Sequence, residues 1–146
     1  MFGALKKRFT DNLDSVLGKY ASDKNLLEAA MAACAMMAAA DGEIEPKEKA
    51  KTADFIRKHE SMRHFDQQEA SRLFTRYADG FDLDFDMGAD ECLKQIGDIK
   101  DPDKANLVAR VAMMVAKSDG DFEPQEKTAY RRIIERLGLS PSEYGV

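Results

Sequence analysis

A chain of 146 residues with 27 acidic against 22 basic side chains carries a formal net charge of −5. That length suits one domain, taken here as residues 1–146, with a real hydrophobic core, and the negative balance argues against nucleic acid as a partner. The two cysteines, Cys34 and Cys92, lack metal-ligand spacing, which fits a reducing cytoplasm.

Phe2, Leu5, Phe9, Leu13, Val16, Leu17 and Tyr20 recur at three- and four-residue steps and predict an amphipathic helix over about Phe2 to Lys19. Lys6, Lys7 and Arg8 lie on its opposite face. The helix is read as a docking element, with a peripheral anionic-membrane contact as the alternative. No signal peptide is legible, because that basic cluster precedes polar sequence. A second helix, Lys24 to Ala40 with Asp23 as N-cap, is apolar nearly all round from Ala29 onward. It is therefore expected to be central and buried, with Cys34 as a free buried thiol and Met31, Met36 and Met37 as core filler. The run is too short and too rich in Ala to span a membrane.

A third helix runs from Pro46 to about His59. His59 and His64, five apart instead of the four of a helical metal pair, are read as solvated. Asp66 caps a fourth helix, about Gln67 to Ala78, with Glu69 three residues on. From Asp79 to Asp86 apolar and acidic residues alternate. That pattern predicts a loop burying Phe81, Leu83 and Phe85, with Asp82 and Asp84 facing out and Asp86 capping a fifth helix, about Met87 to Ile99. Asp101-Pro102 starts the sixth, and Tyr130, Ile133, Ile134 and Leu137 mark the seventh, which ends at Gly138. Ser140-Pro141-Ser142-Glu143 opens a last short turn. The fold class expected is all-α, a bundle of about seven helices.

One stretch occurs twice. Asp41-Gly42-Glu43-Ile44-Glu45-Pro46-Lys47-Glu48-Lys49 is matched by Asp119-Gly120-Asp121-Phe122-Glu123-Pro124-Gln125-Glu126-Lys127, each after an apolar helical run. We read it as an internally duplicated helix–acidic turn–helix unit. Gly42 and Gly120 suit the left-handed end of a helix, Ile44 and Phe122 staple the chain entry, and Glu45-Pro46 and Glu123-Pro124 place a cap before Pro at the first helical position. Glu48 and Glu126 stand where a capping box needs them. The turns can thus be plain helix corners. Yet Asp41, Glu43, Glu45 and Glu48, with Asp119, Asp121, Glu123 and Glu126, also gather hard oxygen ligands that suit Ca²⁺ or Mg²⁺. Asp82 and Asp84 add a third source. The spacing is not that of an EF-hand, whose Gly comes sixth and whose bidentate Glu comes twelfth.

Lys117-Ser118-Asp119-Gly120-Asp121-Phe122, the Glu126-Lys127 pair, the run from Phe81 to Asp86 and the terminus from Ser140 to Gly145 resemble the bacterial tellurite-resistance TerB family. The resemblance spans nearly the whole chain. It implies an all-helical duplicated fold and a cytoplasmic role in tellurite-resistance or stress-response systems, beside a membrane-embedded partner of the TerC type. It also implies metal binding through Asp41 and Glu48 in the first copy and Asp119 and Glu126 in the second. Glu45-Pro46 and Glu123-Pro124 depart from the shorter capping residue expected of the family.

Direct handling of tellurite is not expected from the residues. An acidic surface repels an oxyanion, and neither a CxxC pair nor a dinucleotide fingerprint is present. No nucleophile neighbours either histidine in sequence, so no enzyme and no organic cofactor are expected. Two functions remain. One is a cation-binding adaptor for a partner complex at the inner face of the membrane, and the other is a metal-free structural module for protein–protein interaction.

Overall fold

The computed structural model describes residues 13–120 and 122–146, except the side chains of Asp14 and Asp119. Seven α-helices are found among them: α1 (Leu13–Leu17), α2 (Lys24–Ala38), α3 (Pro46–Lys58), α4 (Gln67–Leu83), α5 (Phe85–Gly97), α6 (Pro102–Ala116) and α7 (Pro124–Arg136). Short 3-10 turns at Gly18–Tyr20, Glu60–Met62, Lys117–Asp119 and Pro141–Tyr144 join or close them. No strand occurs among the described residues, so the all-α class holds. The expected first helix is described only from Leu13; its part from Phe2, with Lys6, Lys7 and Arg8, lies outside the described residues.

The architecture follows from α2. Every residue from Ala29 to Met37 is buried, and a helix apolar on all sides must be covered on all sides. Helices α4, α5 and α6 pack along it, and α3 and α7 also meet it. Its many alanines let these neighbours approach closely. Asp23 starts it by accepting from the Leu26 amide at 3.0 Å, as expected. Asp66 caps α4 in the same way at 3.1 Å, and Asp101 caps α6 through the Asp103 amide at 2.8 Å. On the α6 side, the Tyr130 hydroxyl of α7 donates to the buried Ala109 carbonyl at 3.0 Å. The Tyr144 hydroxyl donates to Asn106 at 2.6 Å and ties the last 3-10 turn back to α6.

The stretch from Asp79 to Asp86 is not a loop. Helix α4 continues to Leu83, and Asp84, not Asp86, caps α5 by accepting from the Met87 amide at 3.0 Å. Of the three apolar residues expected inside, Phe81 is buried, Phe85 is half-buried and Leu83 is 93% exposed. The reason is a close crossing of α4 and α5 at two glycines. A Cβ on Gly88 would stand 2.8 Å from the Phe81 nitrogen, and one on Gly80 would stand 3.7 Å from the Gly88 Cα. Gly80 looks like a helix stop in sequence, but it lies inside the helix beside this tertiary contact.

The histidines are not simply solvated either. Both are half-buried. His59 Nδ1 accepts from the Ser61 amide at 3.0 Å and its ring tilts against Phe55 at 5.1 Å. His64 packs against the chain at Gly18, where an added Cβ would lie 3.3 Å from its ring.

Two expectations follow. Gly88→Ala should destabilise by about 1–3 kcal/mol, because the new methyl meets backbone, whereas Gly80→Ala should be neutral or slightly stabilising, since its Cβ meets only ordinary contacts. Urea denaturation of both variants checks the difference in sign. The second concerns Asp23, whose Oδ2 lies 2.7 Å from Lys104 Nζ. Burial raises its pKa, but the hydrogen bonds from Lys104 and the Leu26 amide outweigh that and hold it below 3.8. A carboxyl with a depressed folded pKa contributes stability above its unfolded value and loses it as the pH falls. Asp23→Asn keeps a capping oxygen and loses the ion pair. Its melting temperature should be lower than the parent's at neutral pH, with the gap closing as the pH drops below 3.8.

Candidate functional site

The two acidic turns share their local geometry at the positions described. After α2 the Gly42 amide donates to the Ala39 carbonyl at 3.0 Å, and after α6 the Gly120 amide donates to the Lys117 carbonyl at 3.0 Å. Gly42 then takes a φ of +107° and Gly120 one of +98°, a region in which a side chain would be strained. Glu45 (φ −67°, ψ 145°) and Glu123 (φ −72°, ψ 158°) are extended, and Pro46 and Pro124 open α3 and α7. Ile44 is buried, and Phe122 meets the Tyr130 ring edge-on at 6.0 Å. The apolar residue of each turn thus pins the entry to the following helix, while Glu43, Glu45 and Glu123 beside it are exposed.

These turns come together. Asp41 and Glu48 from the first, with Glu123 and Glu126 from the second, line one cleft of about 150 Å³. Met37, Ala38 and Ala40 at the end of α2 contribute its apolar part, and Thr52 and Gln125 add a hydroxyl and an amide. Glu48 and Glu126 belong to the first turns of α3 and α7, where the helix dipole favours negative charge. Glu126 Oε1 accepts from the Glu123 amide at 2.9 Å, so the second turn carries the reach-back bond of a capping box. Asp41 Oδ1 accepts from the Glu43 amide at 3.4 Å within its own turn.

The remaining candidates lie elsewhere. Glu43 and Glu45 are exposed and do not line the cleft. Asp82 pairs with Lys49, whose Nζ sits 2.7 Å from both Asp79 and Asp82. Hydrogen bonds to those two carboxylates push the Lys49 pKa above its ordinary 10.5. Asp84 is occupied as the cap of α5. Asp121 and the Asp119 side chain lie outside the described residues. Among the described residues, no three His, Cys, Asp or Glu side chains are already gathered closely enough to hold an ion.

The Lys49 clamp on α4 was missed in sequence. Its signal is Asp79 and Asp82, three apart and on one face once the helix is continued through Gly80. Cys34 is the free buried thiol expected of it, and Cys92 is one as well. Both are fully buried, and burial raises both, Cys92 to about 12. No described helix is long and apolar enough to cross a membrane.

Comparison with known proteins agrees with this geometry in extent. The family model described as "Tellurite resistance protein TerB" matches residues 27–145, which include both turns, α3, α6 and α7, and α2 from Leu27 onward. A "Tellurium resistance protein TerB" from Alcaligenes sp is 32% identical over 104 residues, 70% of this chain and 84% of that protein. No solved structure matches the chain.

The assignment of Asp84 as a cap is open to a direct check. Asp84→Ala should cost about 1 kcal/mol, and Asp84→Asn only a fraction of that, because Asn caps nearly as well as Asp. Thermal unfolding of the two variants separates capping from a role that needs the charge, in which case both would behave alike.

Proposed function

The chain belongs to the TerB tellurite-resistance family, and from that premise we propose that it is a cytoplasmic divalent-cation-binding adaptor acting in tellurite resistance and related stress responses through a membrane-associated partner complex. The observation that carries this reading is the shared cleft. Acids 75 or more positions apart in sequence, Asp41 and Glu48 against Glu123 and Glu126, border the same small space. Carboxylates with a hydroxyl and an amide oxygen beside them are the donor types that suit a hard ion, Ca²⁺ or Mg²⁺. An ion held there would tie the α2–α3 turn to the α6–α7 turn. It would also neutralise charge at one spot on a negative surface, which is the kind of local change a partner can read.

The partner in this reading is a membrane protein of the TerC type, and the chain itself does no chemistry on tellurite. Its two thiols are buried and held protonated, the opposite of what a reactive thiol needs. A second reading draws on the capping bond from Glu126 to the Glu123 amide. That bond already gives one acid a structural task, as expected of a metal-free interaction module.

Melting in the presence and absence of Ca²⁺ and Mg²⁺ decides between them. An ion bound only by the folded chain stabilises it by about 2.7 kcal/mol at ~100 times its dissociation constant. Asp41→Asn and Glu48→Gln should remove most of that shift. Glu126→Gln should do so too while keeping an oxygen for the capping bond, and Asp82→Asn should leave the shift intact. No shift in the parent at low salt would leave the interaction module standing.

A further inference from the structure

Across Ala40 and Gln125, which border both, the acidic cleft adjoins a second pocket of about 190 Å³. Met36, Phe81, Phe85, Ala89 and Ala129 form its apolar walls, with Thr128 and Arg132 of α7 also at its lining. Small-molecule sites usually measure about 300–1,000 Å³, so this space suits one large side chain better than a free metabolite. The same α4–α5 corner that supplies Phe81 and Phe85 also carries the exposed Leu83 and Met87, 93% and 70% accessible. A soluble chain has little reason to present two large apolar side chains at one corner unless something covers them.

Charge says what that something is. Asp41, Glu48, Glu123 and Glu126 stand on one flank of the pocket, and the exposed Asp84 and Asp86 belong to the corner on the other. Among the described residues, Arg132 is the one cation in the lining. An acidic peptide or an anionic lipid surface would be repelled. A second copy, with a formal net charge of −5 of its own, is disfavoured for the same reason.

We propose that the pocket and the cleft form one docking surface for a basic amphipathic segment of a partner protein. A Leu, Met or Phe of that segment seats between Phe81, Phe85 and Ala129, and a Lys or Arg beside it reaches the acidic cleft. This rests on the adaptor reading above and specifies the partner's chemistry. Because the incoming cation and a divalent ion meet the same carboxylates, each weakens the binding of the other.

The test uses the full chain and a synthetic peptide of Leu and Lys at amphipathic-helix spacing. Two peptides of equal length serve as controls, one with Glu for Lys and one with Ser for Leu. Thr128→Arg places a bulky cation at the pocket on an exposed helical position, and Leu83→Ser removes an exposed apolar contact. Neither touches the cleft acids. The Leu/Lys peptide is expected to bind, both controls to fail, and each substitution to weaken binding by about tenfold. The Ca²⁺-induced melting shift should be unchanged in both variants. Equal binding of the Glu peptide, or binding that survives both substitutions, overturns the proposal. So does a dimer that Leu83→Ser dissolves, because a second copy would then own the surface. The two readings also fail separately. Peptide binding without any cation shift removes the ion and keeps the docking surface, and a cation shift without peptide binding removes the docking surface and keeps the ion.

Discussion

The complete burial of α2 is the constraint on which the rest depends. A helix with no polar side between Ala29 and Met37 has no stable place except the middle of a bundle, and each neighbour must offer it an apolar face. Because α2 is lined largely with alanine, its neighbours pack near its backbone, and small shape changes in them are felt directly. Its C-terminal end then becomes the floor of both surface depressions: Met37, Ala38 and Ala40 under the acidic cleft, Met36 and Ala40 under the apolar pocket. The site is therefore built on the most deeply enclosed element of the molecule.

The bridging of distant segments by polar contacts complements this packing. Lys49 leaves α3 to meet Asp79 and Asp82 on α4, and the residue before it, Glu48, faces the cleft. A single helical turn thus connects the acidic cleft to the helix whose far end forms the exposed apolar corner. That arrangement gives the acidic turn, α3 and α4 a common frame.

Most helices were readable because their signals are local. Asp23, Asp66 and Asp101 sit beside the residues they cap, and Pro46, Pro102 and Pro124 sit at first helical positions. The failures have the opposite character. Gly80 reads as a stop unless its partner Gly88 is known to cross it. The alternation from Phe81 to Phe85 mimics an extended strand, but of its acids Asp82 answers to a lysine 33 residues away and Asp84 caps the next helix. The sequence shows only the spacing of His59 and His64 and their place about a helix end, whereas Phe55 and Gly18 lie against their rings. Of the candidate site, the residue types in each turn were legible, and Asp41, Glu48, Glu123 and Glu126 do border one space. That they border the same space was not, since nothing in either copy says that the end of α2 will be flanked by the start of α7.

The burial of sulfur has a consequence of another kind. Oxidants consume thiols in proportion to their thiolate content and their exposure. Cys34 and Cys92 are at 0% exposure, both with raised pKa values, so they are withdrawn from that competition on both counts. In a compartment under oxidative attack, proteins with accessible thiolates would lose function first. The thiols of this chain would be among the last to react, so thiol oxidation is a poor route for such a challenge to alter its fold.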